Sequence, residues 1–327
     1  MTLSCWVLTE DKAGMISQCW GLAEALGVQP LQKIWTPRAP WKFLPPALWC
    51  CALRSGRAGS DPVTPPWPDL LIATGRPTVA VARALRRASA GAIFTVQIQN
   101  PGIALHHFDM VVAPQHDGLH GANVFNTRGA LHRVTAARLA TAAAQWAPRL
   151  AHLPQPRAAV LLGGSNRRYR FTAAIAAQLA QQLVALARSG IGLMITPSRR
   201  TDPAVVAALR SALVGLPAVI WDGLGENPYF AYLGLADHLI VTGDSVNMVS
   251  EACATGKPVY IVELAGRSAK FERFHAALRA AGMTRPFEGS LAQWHYPPLD
   301  DVGAVAAEIK RRLLAAGRVG ASQLRNY

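Results

Sequence analysis

What most limits the folds open to this chain is a repeated switch of periodicity. Short apolar, β-prone runs alternate from end to end with alanine-rich stretches of helical pattern. That alternation marks βαβ units and parallel sheets with helices on both faces. In the first half the expected strands are Ser4–Thr9, Leu31–Trp35, Leu70–Ala73, Ile93–Gln97 and Met110–Ala113, with helices over Ser17–Leu26, Val79–Ser89 and Ala136–Ala147. A stretch containing Pro148, Pro154 and Pro156, residues 147–157, reads as an interdomain linker. The pattern then restarts, with strands over Ala159–Leu162, Gly192–Ile195, Ala218–Trp221, Leu239–Val241 and Val259–Val262. Helices are expected over Thr172–Ser189, Pro203–Val214, Val246–Thr255, Phe271–Ala281 and Val302–Ala316.

At 327 residues the chain exceeds what one hydrophobic core usually serves. Two Rossmann-like domains are therefore expected, residues 1–150 and 151–327, facing one another across a cleft where a ligand would sit. Hydrophobic residues make up 51% and charged ones 16%, which suits a well-buried α/β enzyme rather than a disordered scaffold. The net charge is +14, yet the arginines are scattered rather than gathered in one tract, which argues against a nucleic-acid-binding arm. Such a field attracts anionic membranes and small anions such as nucleotide sugars or phosphorylated lipids. Five cysteines (Cys5, Cys19, Cys50, Cys51 and Cys253) show no metal or redox spacing and read as apolar fillers in a reducing cytosol. The N-terminus lacks a signal-peptide pattern and no apolar run is long enough to span a bilayer. The expected location is the cytoplasm, with membrane contact at most peripheral.

The stretch Leu239–Glu263 carries the most chemistry. A β-prone run stops at Gly243-Asp244-Ser245, a helical pattern follows through Asn247, Ser250 and Glu251, and Gly256-Lys257-Pro258 leads into a second strand. Free N–H groups and hydroxyls opening a helix at a strand's C-terminal end suit a phosphate, and Glu251, six residues past Ser245, could accept from a ribose diol. A βαβ unit with a polar cap and a solvated Glu251 would have the same spacing. Gly163-Gly164-Ser165-Asn166-Arg167 after the first strand of the second half offers backbone N–H groups, a hydroxyl and a cation to a diphosphate. Thr196, Ser198, Arg199 and Arg200 end the next strand on the same expected rim. No Walker loop, zincin motif, nucleophile elbow or dinucleotide fingerprint is present.

The Ser245-to-Glu251 arrangement resembles the donor-binding half of GT-B glycosyltransferases, where an equivalent helix start holds a nucleotide diphosphate and its ribose. Further segments extend the likeness: Asp11-Lys12-Ala13-Gly14, Ala73-Thr74-Gly75-Arg76-Pro77, Gln97-Ile98-Gln99-Asn100-Pro101, Ala113-Pro114-Gln115-His116-Asp117, Leu162-Gly163-Gly164-Ser165-Asn166 and Ile195-Thr196-Pro197-Ser198-Arg199-Arg200. In this order they are similar to the bacterial branch of the ELM ("elongated mitochondria", mitochondrial fission) family of glycosyltransferase-like proteins. The resemblance implies a GT-B-like fold, an acceptor-side first domain and a nucleotide-sugar-binding second domain, with the last helix returning to the first. It implies sugar transfer to an envelope glycolipid or related acceptor, with a nucleotide-sugar epimerase or a non-catalytic membrane-associated scaffold as alternatives.

No Asp-x-Asp occurs, so neither a metal nor a cofactor beyond the nucleotide-sugar donor is expected. An inverting transfer needs a base for the acceptor hydroxyl. Several GT-B relatives carry a histidine just after the glycine of the first loop, where this chain has Met15, so Asp11 is the first candidate. Asp117, with His116 beside it, is the second. A turn or N-cap role would equally account for Asp11. Finally, Trp35–Arg57 mixes tryptophans with arginines. It reads either as an anchor on anionic membranes through Trp41 and Trp49, or as an excursion folded back on the first domain.

Overall fold

The computed structural model describes residues 3–318. The first part of the chain forms β1 (Cys5–Thr9), α1 (Ala13–Ala25), β2 (Pro30–Ile34), β3 (Leu70–Thr74), α2 (Arg76–Ala88), β4 (Phe94–Ile98), β5 (Met110–Pro114) and β6 (Val124–Thr127). The six strands make one parallel sheet in the order β2-β1-β3-β4-β5-β6. Residues of β1, β3 and β4 are buried throughout, as expected of strands covered on both faces. Alternate side chains separate two cores. Cys5, Val7, Leu70 and Ile72 pack towards α1, whereas Trp6, Leu8, Leu71 and Ala73 pack towards α2.

The second part begins with α3 (Ala136–Trp146), β7 (Arg157–Leu162), β8 (Tyr169–Arg170), α4 (Ala173–Arg188), β9 (Gly192–Pro197), α5 (Pro203–Ala212) and β10 (Ala218–Ile220). It continues with α6 (Tyr229–Leu235), β11 (His238–Thr242), α7 (Val246–Cys253), β12 (Val259–Val262), β13 (Ala265–Gly266), α8 (Ala269–Ala280) and β14 (Thr284–Pro286). Its parallel sheet runs β10-β9-β7-β11-β12-β14. Here too strand alternation feeds two cores, one holding Ala159, Leu161, Leu239 and Val241, the other Ala158, Val160, Leu162 and Ile240. A final helix, α9 (Asp301–Ala315), completes the described chain.

The chain divides into two compact units. One takes the described residues up to Arg133 together with those from Asp300 onward; the other is Val134–Leu299. The division therefore falls at residues 133/134 and not inside 147–157. The proline-rich stretch is packed rather than loose. Leu150 and Leu153 are buried in the second unit's core, and the Arg157 guanidinium donates to the carbonyls of both at 3.1 Å. α3 joins the second unit because it lies against α6. α9 belongs to the first unit, placing Val302, Val305, Ala306, Ile309 and Leu313 in the same core as α1.

The tryptophans of Trp35–Arg57 correct the expected membrane anchor. Trp35 and Trp49 are 3% and 5% exposed and belong to the first unit's core. Trp41 is half-buried, its indole N–H donates to the Cys50 carbonyl at 2.9 Å, and Arg38 stacks on its ring. The segment folds back in short 3₁₀ turns because its indoles gain more from apolar contact than from solvent. The large apolar side chains it leaves outside are Phe43 and Leu48, 72% and 64% exposed.

Candidate functional site

In the second sheet the strand order reverses between β7 and β11, so the loops leaving their C-terminal ends diverge and leave a crevice, the usual ligand position in open α/β sheets. Parallel register sets Leu161 beside Val241 and Leu162 beside Pro197, so the loops after β7, β9 and β11 leave side by side. One buried carboxylate ties all three together. Asp244, 2% exposed, accepts from the Gly164 N–H at 3.1 Å, from the Thr242 hydroxyl at 2.7 Å and from the Arg200 guanidinium at 2.8 Å. Thr242 Oγ1 in turn accepts from the Gly163 N–H at 2.7 Å. The carboxylate is paired and hydrogen-bonded, as a buried charge must be.

Both glycines follow from this arrangement. A Cβ on Gly163 would lie 2.1 Å from Asp244 Oδ1, and one on Gly164 only 1.9 Å from the Arg200 carbonyl oxygen. Close approach to neighbouring loops, rather than room for a ligand alone, requires them. The next residues shape the loop. Ser165 Oγ accepts from the Phe171 N–H, and Asn166 Oδ1 accepts from the N–H groups of Arg168 and Tyr169. Asn166 Nδ2 reaches the Asp244 carbonyl at 3.4 Å. Ser165 and Arg167 are exposed at this rim. After β9, Thr196 is buried, Ser198 Oγ accepts from the Arg200 N–H to close its own turn, and Arg199 is exposed.

Ser245 caps α7, its Oγ accepting from the Met248 N–H at 3.3 Å. The first N–H groups of the helix point into the crevice end, where a helix favours an anion. Glu251 lies six residues on, about 9 Å along the axis. It is buried, and the Tyr229 hydroxyl donates to its Oε2 at 2.6 Å. Burial, then the charge and hydrogen bond of Glu251, hold that phenol well above its ordinary range, so Tyr229 stays a donor. Asn247 is half-buried in the first turn, whereas the Ser250 hydroxyl turns back onto its own helix, donating to the Val246 carbonyl at 2.8 Å. The sequence singled out Glu251 and Ser245 but carried no signal for Asp244 as the tie or for Tyr229 as the partner of Glu251.

A cavity of about 370 Å3 adjoins the Gly243 side of this loop, with Tyr169, Glu263, Arg267, Glu272, His275 and Arg279 among its lining. His275 Nε2 lies 2.8 Å from the Gly243 carbonyl, and burial holds the ring below the usual imidazole range. A neutral ring donating from Nε2 fits both facts. β8 and β13 pair as a two-stranded ribbon beside it, with Tyr169 opposite Gly266.

The two catalytic candidates lie in the first unit. Its strand order reverses between β1 and β3, and Asp11 stands exposed in the loop after β1. Gly75, after β3, adjoins that loop: a Cβ there would be 2.8 Å from Glu10 Oε1 and 3.0 Å from Met15 Sδ. Lys12 pairs with Glu10 at 2.6 Å and occupies the α1 N-cap position, so Asp11 is not the cap. Asp117 follows β5, half-buried, 3.6 Å from His116 Nε2. β3 and β4 stand between β1 and β5, so the ends of those two strands are about 14 Å apart. Asp11 and Asp117 do not act on one proton together.

Residues 13–313 match a family model described as mitochondrial fission ELM1. The chain is 36% identical over 277 residues to the mitochondrial fission protein ELM1 of Arabidopsis thaliana, covering 76% of this chain but 65% of that protein, less than two thirds of its length. It is 27% identical to an uncharacterized protein of Rickettsia prowazekii, covering 94% of this chain and 98% of the relative. Among solved structures it is similar to UDP-GlcNAc 2-epimerase from Neisseria meningitidis bound to UDP-GlcNAc, with TM-score 0.52 at 13% identity over 96% of this chain and 100% of that one. The Methanocaldococcus jannaschii UDP-GlcNAc 2-epimerase in complex with UDP-GlcNAc and UDP gives the same score at 11% identity, covering 96% and 100%. At such identities these likenesses concern the fold.

Proposed function

The chain belongs to the mitochondrial fission ELM1 family and has a GT-B-like fold, and from that premise we propose that it is a glycosyltransferase. In this reading it moves a sugar from a nucleotide-sugar donor to a lipid-linked acceptor, without a metal because the chain has no Asp-x-Asp. One observation carries the reading. Asp244 and Thr242 take up the Gly164 and Gly163 N–H groups and so hold the glycine loop after β7 against the start of α7 at the switch point of the second sheet. Glu251 stands further along the same helix, held by Tyr229. Such a frame suits a diphosphate at the helix start, with Ser165 and Arg167 at its rim, and a ribose at Glu251.

In the transfer the acceptor hydroxyl oxygen bonds to the anomeric carbon as that carbon's bond to the diphosphate breaks. The α7 N-terminus and the rim arginines Arg167 and Arg199 offset the charge left on the diphosphate. For an inverting course the hydroxyl proton passes to a carboxylate. Asp11 suits that role better than Asp117 because it lies at the first unit's switch point. None of the helices described is long and apolar enough to cross a membrane; in this reading an acceptor in lipid is met at the membrane surface.

Calorimetry with UDP, GDP, CMP and ADP sugars tests the site, with UDP-GlcNAc tried first. One donor should bind, and Glu251→Ala should weaken it by roughly tenfold to a hundredfold, the worth of hydrogen bonds to a charged group. Undiminished binding by the variant removes the ribose role. The likeness to UDP-GlcNAc 2-epimerases favours a second reading, sugar interconversion. Incubation with donor but no acceptor separates the two: an epimer supports interconversion, while sugar found on membrane lipid supports transfer. No nucleotide binding at all would leave a non-catalytic scaffold.

A further inference from the structure

A second concavity, of about 1070 Å3, opens in the first unit between the C-terminal half of α2 and the turns at Trp49–Arg54, with His107 on its wall. Arg54, Arg83, Arg86 and Arg87 line it and no acidic residue does. Arg86 is accounted for, since its guanidinium forms a bidentate pair with Asp109 at 3.0 and 3.2 Å. Among the described residues no carboxylate pairs with Arg54, Arg83 or Arg87. Arg86 and Arg87 offset the negative end of α2, but Arg54 arrives from a separate segment and the helix does not explain it. Burial first, then the charges of His106, Arg83 and Arg86, hold His107 below the usual imidazole range.

The position excludes a reacting group. α2 starts at the C-terminal end of β3 and ends where β4 begins, so its last turns lie at the opposite sheet edge from Asp11 and Gly75. A ligand there docks the protein and takes no part in sugar transfer. Exposed apolar side chains stand on the turns that lead into this wall. Leu48 directly precedes Trp49, and Phe43 ends the turn before it with Lys42 over its ring at 4.6 Å. Buried Trp49 and half-buried Trp41 hold these turns rigid beneath the two exposed tips.

We propose that this concavity receives the phosphorylated headgroup of an anionic lipid through Arg54, Arg83 and Arg87, while Phe43 and Leu48 enter the bilayer beside it. The inference rests on the membrane-surface part of the function proposed above and assigns it residues. A cationic hollow flanked by apolar tips fits a headgroup with its acyl chains better than a nucleic acid, which would need cations ranged along a strand with open aromatic faces.

The test is flotation of the full chain with phosphatidylcholine vesicles, with and without phosphatidylglycerol. The wild type should bind only the anionic vesicles. Arg54→Gln/Arg87→Gln should weaken partitioning roughly thirty-fold, from on the order of 1 kcal/mol per basic residue. Phe43→Ser/Leu48→Ser should release the protein from the same vesicles. All four side chains are exposed, so melting temperatures should stay at the wild-type value. Arg188→Gln/Arg210→Gln, exposed in the second unit, removes the same charge elsewhere and should bind as wild type. Equal loss in that control overturns the site while membrane attachment stands. Failure of the wild type to float overturns both, and leaves nucleotide binding to be decided by calorimetry. Binding of inorganic phosphate by the wild type without flotation assigns the hollow to a soluble anion and overturns the lipid.

Discussion

Asp244 shows how much one side chain holds together. Removing it would leave the buried Thr242 hydroxyl and Gly164 N–H without their acceptor, whereas Arg200, nearly half exposed, can turn to water. Asp244→Ala should therefore cost about 1–3 kcal/mol, the penalty of unsatisfied buried groups rather than of a fully buried broken ion pair. Thermal denaturation reads that loss, and under the proposed function nucleotide affinity should fall with it because the glycine loop and the start of α7 lose their common anchor. A second residue sets a pH limit. Burial lowers His132 to about 4 from 6.5, against a small opposing pull from Asp300. The unfolded chain then takes the proton more readily than the folded one. Stability should be full above the unfolded value and decline as pH falls from 6.5 towards 4, by up to ~3 kcal/mol. Urea titrations at neutral and acid pH check this. His132→Gln should flatten the decline, and an unchanged slope would assign it to other groups.

Helix α9 is an element whose importance its own sequence understates. Its buried side chains complete the core beneath α1, and Asp301 ties its start to the 128–129 turn, accepting from the Gly129 N–H at 2.7 Å. Ile309 is fully buried there, so Ile309→Ala should destabilise by about 2–5 kcal/mol through lost contact and an unfilled cavity. A change below 1 kcal/mol in denaturant unfolding would mean that α9 docks loosely. α7 shows the opposite case, a short helix clear in sequence whose function depends on what is packed against it. Its spacing of Ser245 and Glu251 is readable in the sequence, but Ser250 bonds back within α7 itself, and the Tyr229 contact to Glu251 comes from α6, a helix the alternation does not mark. Tyr229–Leu235 is aromatic and apolar without a polar face, so it carries no amphipathic period.

At the scale of the whole molecule the chain threads one unit through two separated segments and the other through a single one. Every group placed at the proposed nucleotide site, from Gly163 to Glu251, belongs to Val134–Leu299. That segment expressed alone should fold and keep donor affinity within about tenfold of the full chain, since it is one compact unit with its own hydrophobic core. Circular dichroism and calorimetry on the same sample check both halves of this expectation. A folded segment without affinity would mean that the first unit supplies binding groups.

Local signals determined the alternation of strand and helix, the buried central strands and the glycine and hydroxyl loops that end them. Unbroken apolar runs such as Leu70–Thr74 and Leu239–Thr242 declare burial on both faces without reference to anything distant. Family membership was legible for the same reason, in short motifs kept in order. Tertiary structure alone decided what those motifs touch. Gly164 meets Asp244 across 80 residues and Arg200 meets it across 44, distances at which sequence spacing carries no geometry. The unit boundary at 133/134 and the inward tryptophans of Trp35–Trp49 belong with them. A proline-rich stretch and an indole beside arginines each have a packed and an exposed solution, and only the surrounding apolar surface selects between the two.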